Sequence, residues 1–371
     1  MTPEAGRGRQ MRIGGTEITD GGACFVIAEI GHNHQGSMET ARALIKAAAD
    51  AGADAVKLQK RDNRTLYTRE MYDKPYENEN SYGRTYGEHR EYLEFGAAEF
   101  AELQAYAGEL GVIFFSTAFD LPSVEFLEAL DVPAYKVASA DVTNVPLLRA
   151  LAQTGRPVLL STGGAALEDI VVAHDLLAAG GADIAVLQCT AGYPAAWDEL
   201  DLRVIAEYRD LFPDALIGFS SHDNGIAMPV AAYVLGARIV EKHFTLDRTM
   251  RGTDHKFSLE PQGLRKLVRD LGRTRQALGD GTKRVHHSER APITKMAKKL
   301  VAARPLAPGH VLTEADVAVK SPGDGLSPMY WDEVIGARLT EPLDFEEPLQ
   351  LALLEPPEVP VPSGRLESAS S

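Results

Sequence analysis

Ile217-Gly218-Phe219-Ser220-Ser221-His222 and Ile239-Val240-Glu241-Lys242-His243-Phe244 each read as a short apolar strand that ends in a histidine. The run between them, 225–235, has the pattern of a helix. The unit is therefore strand, helix, strand, and its two strands are expected to be parallel neighbours. Side chains alternate along a strand, so Gly218, Ser220 and His222 share one face, as do Ile239, Glu241 and His243. Either histidine alone reads as a strand-end group bonded to nearby backbone. Two at the ends of adjacent parallel strands suit a divalent metal, because neutral imidazoles bind Mn, Fe or Zn well.

The same rhythm runs through most of the chain. Apolar strands are expected at 24–30, 54–59, 112–116, 134–138, 157–161, 183–188, 216–220 and 238–243. Helical patterns alternate with them at 38–51, 97–110, 122–130, 145–152, 167–179, 202–211 and 226–235, and a last one at 261–278 closes the series. Eight strand–helix units in a row predict an α/β fold, a (β/α)8 TIM barrel with its chemistry at the carboxyl ends of the strands. A doubly wound open sheet is the alternative, but no Gly-rich dinucleotide turn follows the first strand. A hairpin turning at Gly14-Gly15 is expected ahead of the barrel. The connection 60–94 is too long for a plain connector. It carries Tyr67, Tyr72, Tyr76, Tyr82, Tyr86, His89 and Arg90, and reads as a partial lid. The barrel is expected over 11–280, a basic linker over 281–300, and a small Gly/Pro-punctuated domain over 301–354. Tails 1–10 and 355–371 are expected to be disordered.

Composition bounds the function. The chain has 371 residues, 44% of them hydrophobic and 25% charged, with a net charge of -15. That balance argues against nucleic acid as a partner. No apolar run approaches the roughly 20 residues that span a bilayer, and residues 1–10 lack the apolar core of a signal peptide. Cys24 and Cys189 are too few for a disulfide framework and read as buried strand residues, so a cytoplasmic location is expected.

The strand ends carry a consistent inventory: Glu29, then Lys57 and Gln59 on one face, Lys136 with Ser139, Ser161 before Gly163-Gly164, and Cys189 before Tyr193. Beyond the last strand comes Arg251-Gly252-Thr253-Asp254-His255-Lys256. A lysine inside a short apolar strand is costly unless an anion meets it, either a core carboxylate or a ligand. Two of them, with serines and glycines around the same mouth, describe a pocket for a small, highly charged anion such as a phosphate ester.

At these residues the chain resembles the sialic acid synthases, which condense phosphoenolpyruvate with an aldose. The matching stretches are FVIAEIGHNHQG at 25–36, AVKLQ at 55–59, TYGEH at 85–89, YKVAS at 135–139, LSTG at 160–163, QCTAGYP at 188–194, IGFSSHDNGIA at 217–227, EKHFT at 241–245 and GTDHKFSLEP at 252–261. Residues 301–354 are similar to the antifreeze-like SAF domain of the same enzymes. The resemblance implies a barrel joined to a SAF domain in a domain-swapped homodimer. It implies Mn2+ (or Mg2+) on His222 and His243, and phosphoenolpyruvate on Lys57, Lys136, Ser139, Ser161 and Ser220. Gln59, Tyr193 and Asp254 would face the acceptor sugar aldehyde, and Glu29 would be the acid/base carboxylate.

Two positions depart from the pattern. Ala191 stands where the family usually has Asn or Ser, and Ser321 where many bacterial members have an Arg that reaches the acceptor's acyl group. Both leave the acceptor open: N-acetylmannosamine, a related or non-acetylated sugar, phosphorylated or not. A metal-dependent pyruvate aldolase and a catalytically dead sugar-binding scaffold are the rival readings. Retention of both histidines, both lysines and Glu29 argues against the scaffold.

Overall fold

The computed structural model describes residues 9–356, so most of each tail expected to be disordered lies outside the described residues. The chain divides into two compact units, the first ending at Asp280 and the second starting at Gly281.

In the first unit, β1 (Gln10–Ile13) and β2 (Thr16–Thr19) form the hairpin. Eight parallel strands follow: β3 (Phe25–Gly31), β4 (Ala55–Lys60), β5 (Ile113–Ala118), β6 (Tyr135–Val137), β7 (Val158–Ser161), β8 (Ile184–Cys189), β9 (Leu216–Ser221) and β10 (Ile239–His243). They close in chain order, with β10 pairing back onto β3. Helices α1 (Met38–Ala51), α5 (Ala97–Glu109), α6 (Leu121–Ala129), α7 (Val145–Gln153), α8 (Leu167–Ala179), α9 (Val204–Leu211), α10 (Ala227–Leu235) and α11 (Pro261–Leu278) alternate with the strands. The connection 60–94 is no bare loop. It folds into α2 (Asn63–Leu66), α3 (Arg69–Asp73) and α4 (Tyr86–Leu93), the last started by a capping box of Thr85 and Glu88. These helices are too short, and α4 too polar, to show an apolar period in the sequence.

Two apolar layers hold the barrel. The outer one packs strand residues such as Val26, Val56, Phe114, Val186 and Val240 against Leu44, Leu103, Leu151 and Leu264 of the helices. The inner one fills the lower barrel with Ile27, Ala55, Phe115, Ala134, Leu159, Leu187, Leu216 and Ile239, and Met11, Ile13 and Ile18 of the hairpin join it. Two residues further along six of the strands the inward face turns polar. Ile27 gives way to Glu29, Ala55 to Lys57, Phe115 to Thr117, Ala134 to Lys136, Leu159 to Ser161, and Ile239 to Glu241 and then His243. Strand alternation and one change of polarity thus place an apolar plug below a polar chamber at the carboxyl end.

The second unit has its own small core of Leu300, Leu306, Leu312, Val334, Leu339, Leu343 and Leu349. It includes the paired strands β11 (Lys299–Ala302) and β12 (Val317–Lys320), with α13 (Trp331–Val334), β13 (Arg338–Leu339) and β14 (Leu354–Glu355). The stretch expected to be only a linker contains a ten-residue helix, α12 (His287–Met296), capped by Glu289 on the His286 amide. It buries no side chain, so it carries no apolar stripe to betray it. No helix among the described residues is long and apolar enough to cross a membrane.

Candidate active site

A cavity of about 550 Å3 opens at the carboxyl ends of the strands. Every site residue expected from the sequence lines it: Glu29, His222 and His243; Lys57, Lys136, Ser139, Ser161 and Ser220; Gln59, Tyr193 and Asp254. Ala191 lines it too, whereas Ser321 lies in the second unit, where its hydroxyl accepts from Lys298 Nζ at 2.6 Å.

Strand register sets the floor. Glu29 sits level with Lys57 on one side and His243 on the other, and Glu241 lies level with Ser220. Lys57 Nζ lies 2.7 Å from Glu29 Oε2 and donates to Thr117 Oγ1, also at 2.7 Å. Lys136 Nζ lies 3.5 Å from Glu241 Oε1, and Lys57 Nζ 3.9 Å from Glu241 Oε2. All four charged groups are buried, so both lysines have carboxylate partners as well as an open cavity beside them. Burial pushes Glu29 upward and Glu241 adds to it, outweighing Lys57 and Gln59, which pull it down. Burial would also raise Glu241, but Lys136 and then Lys57 lead the charges that outweigh it and hold that carboxyl at about 2. Two carboxyls in one chamber thus have opposite tendencies, the pattern by which one fold separates a proton carrier from a fixed charge. Burial lowers Lys136, against the pull of Glu241.

Gln59 Nε2 donates to Glu29 Oε1 at 2.6 Å. Gly163 N–H donates to Ser139 Oγ at 2.9 Å, and a side chain on Gly163 would sit 2.9 Å from Ala191 N and 3.0 Å from that hydroxyl. The turn after β7 needs glycine so that it can come this close. Ser161 Oγ is buried with no hydrogen-bond partner among the described residues.

The histidine rings lie 5.3 Å apart between centroids, and Tyr193 packs 4.3 Å from the His222 ring. His222 Nδ1–H donates to Thr190 O at 2.8 Å, which leaves Nε2 with the free lone pair. His243 Nδ1 is buried without a hydrogen bond, 3.7 Å from Asp254 Oδ2. Burial lowers His243 despite Asp254 and Glu241, so its imidazole is neutral and able to coordinate. Both rings therefore fit a divalent cation. Among the described residues no cluster of three or more His, Cys, Asp or Glu is arranged as a metal site.

Sequence reasoning missed Glu241, Thr117, Arg61, Arg90 and His32 as cavity residues. Glu241 had a signal, since it stands two residues before His243 on the same face. Thr117 was lost because the strand was expected to stop at 116, whereas β5 runs to Ala118. Arg61 and Arg90 belong to the long connection, where no strand or long helix gave a direction to their side chains.

A NeuB family profile matches residues 44–283 and a SAF domain profile residues 299–355. Human N-acetylneuraminate-9-phosphate synthase is 42% identical over 297 residues, covering 80% of this chain and 83% of that protein. The N,N'-diacetyllegionaminic acid synthase of Campylobacter jejuni is 36% identical, covering 85% of this chain and 96% of its own. Among solved structures, the N-acetylneuraminic acid (sialic acid) synthetase of Leptospira borgpetersenii superposes with a TM-score of 0.68 at 32% identity, covering 77% of this chain and 95% of that one.

Proposed function

The chain belongs to the NeuB family, and we propose that it condenses phosphoenolpyruvate with a sugar aldehyde, N-acetylmannosamine or a relative, to give a 3-deoxy-2-ulosonic acid and phosphate. The observation that carries this reading is a single chamber holding two buried ammonium groups, Lys57 and Lys136, and the unpartnered hydroxyl of Ser161. Both ammonium groups already face a carboxylate, and a compact anion fits beside them once Glu29, pushed upward by burial, takes up a proton. Relatives named for N-acetylneuraminate-9-phosphate, legionaminic acid and pseudaminic acid synthesis support the reaction class and leave the acceptor open.

In the proposed sequence Lys57 and Lys136 hold the phosphate and carboxylate of phosphoenolpyruvate, assisted by Ser139, Ser161 and Ser220. Carbon 3 attacks the aldehyde carbon, held by Gln59, Tyr193 and Asp254, and positive charge develops at carbon 2. Water adds there, and phosphate leaves as the bond between carbon 2 and the bridging oxygen breaks. Glu29 carries the proton exchanged with that water. Glu241 stays ionised and offsets the two ammonium groups. The apolar plug closes the floor of the chamber, so water reaches the reacting carbons from the mouth. A divalent cation, Mn2+ or Mg2+, on His222 and His243 would supply Lewis-acid polarisation of the aldehyde oxygen.

The experiment is to incubate the full chain with phosphoenolpyruvate, Mn2+ and a panel of aldoses, and to measure free phosphate and product mass. Phosphate release that depends on both the aldose and the cation, and that His222→Ala or His243→Ala abolishes, is the expected result. Condensation of pyruvate itself, without phosphate, would establish the aldolase reading instead. A swapped homodimer is part of the proposal on the strength of the resemblance, and the mass of the particle in solution tests it.

A further inference from the structure

Another buried ion pair lies outside the chamber, next to both histidines in the chain. Lys242 and Asp223 are each 1% exposed, yet neither lines the cavity. Side chains alternate along a strand, so Lys242 points away from the chamber. Its neighbours on that face, Val240 and Phe244, pack in the outer apolar layer. Ser221 lies level with Lys242 on β9, and Phe219, two residues earlier, belongs to the same layer.

The ammonium is fully satisfied there. Lys242 Nζ lies 3.0 Å from Asp223 Oδ1, donates to Ser221 Oγ at 2.9 Å, and donates also to Asp223 O. Three acceptors use its three protons. Ser221 Oγ in turn donates to Asp223 Oδ1. Asp223 Oδ2, by contrast, is buried with no hydrogen bond among the described residues. Well-packed apolar side chains of similar volume often hold such a place as well as a buried ion pair, or better. Stability alone therefore does not account for charges in this layer.

Connectivity says what the pair holds. Ser221 ends β9, and its pairing with Lys242 is the last between β9 and β10. His222 is the first residue beyond that ladder. Lys242 grips the residue before His222 and the residue after it, and is itself the residue before His243. One ammonium thus ties both sides of one histidine to the strand that carries the other. The remaining ties of His222, Ala195 N–H to its carbonyl at 3.2 Å and Nδ1–H to Thr190 O, lead back to β8 and its loop. Arg248 Nη2 adds only an exposed bond to Asn224 Oδ1 at 2.7 Å. Among the described residues no group of three or more His, Cys, Asp or Glu is arranged for a metal. A cation on two imidazoles depends on their being held at one spacing before it arrives.

We infer that Lys242, Asp223 and Ser221 are positioning residues that fix His222 against His243 and so set the affinity for the divalent cation. This rests on the histidine pair as the cation site proposed above. The test measures Mn2+ binding without substrates, from the electron paramagnetic resonance signal of the free ion, and thermal unfolding of the same samples. The variants are Lys242→Met, Ser221→Ala and the double variant Lys242→Met/Asp223→Leu. The double variant is expected to unfold at or above the wild-type temperature, yet to bind Mn2+ about 10- to 100-fold more weakly. Lys242→Met is expected to lose both stability and affinity. Ser221→Ala, which keeps the ion pair and removes one tie, is expected to weaken binding by less than the double variant does. Wild-type affinity in a folded double variant would overturn the inference while leaving the cation site standing. A double variant that does not fold would show that the pair holds the barrel rather than the histidines, and would overturn it too. A wild-type chain that binds no Mn2+ would contradict the cation site itself, and the inference would fall with it.

Discussion

Lys57 Nζ lies 2.7 Å from Glu29 Oε2 at the floor of the chamber, with both side chains buried. Removing one member of a buried pair leaves the other charge stranded, which typically costs roughly 3–5 kcal/mol, whereas replacing both by apolar groups can be neutral. Lys57→Met is therefore expected to lower stability by about 3 kcal/mol, less what protonation of Glu29 recovers. The double variant Lys57→Met/Glu29→Leu is expected to regain most of that loss and no turnover. Urea unfolding of the four-member cycle measures it. Equal stability of single and double variants would show that the pair is not coupled.

The same contact predicts a proton movement. Glu29 is already pushed upward by burial and by Glu241, and Lys57 opposes the shift. A phosphate drawn to Lys57 adds negative charge beside Glu29 and weakens that opposition, so Glu29 is expected to take up a proton as phosphoenolpyruvate binds. Calorimetry in buffers of different ionisation enthalpy would report net uptake near neutral pH, reduced in Glu29→Gln. Proton release that is unchanged in Glu29→Gln would contradict the role given to this carboxyl.

Acid stability follows from a buried histidine outside the reaction centre. His34 stacks on Phe95 with centroids 4.2 Å apart, its Nδ1 accepts from Gly36 N–H at 3.1 Å, and burial lowers it from 6.5 to about 3. The unfolded chain binds this proton well before the folded chain does. The contribution is thus complete above pH 6.5 and is lost as pH falls from there toward 3. Between pH 6.5 and 5 the loss from this residue is about 2 kcal/mol, at about 1.36 kcal/mol per unit. Unfolding free energy measured across this window is expected to slope upward with pH, and His34→Gln to remove about one proton's worth of that slope. A slope unaffected by the substitution would place the titration elsewhere.

Strands and helices that pack on the barrel were legible because burial imposes a period. Helices α1, α8 and α11 fall at the residues expected from pattern alone, and the eight strands differ by at most two residues at either end. The polar chamber was legible for the same reason: Lys57, Lys136 and Glu29 interrupt apolar strands, and an interruption on an inward face has a direction. The rest lacked that constraint. Residues 60–94 fold into short helices stabilised by caps and by contacts such as the Tyr82 ring on Tyr92, 4.9 Å between centroids, none of which leaves a period in the sequence. Lys57 and Lys136 were expected to meet an anion, yet the carboxylates beside them follow from strand register. Pairing of β9 with β10 sets Glu241 level with Ser220, and closing the barrel through β10 and β3 brings it within reach of both lysines.

Bond cleavage tests the central claim most directly. Phosphoenolpyruvate labelled with 18O at the bridging oxygen, turned over with an accepted sugar aldehyde, is predicted to deliver the label to inorganic phosphate, because carbon–oxygen scission at carbon 2 sends the bridging oxygen out with the leaving group. The product acid should carry oxygen from solvent at that carbon. Label retained in the organic product would mean phosphorus–oxygen cleavage and would contradict the condensation chemistry assigned to this site.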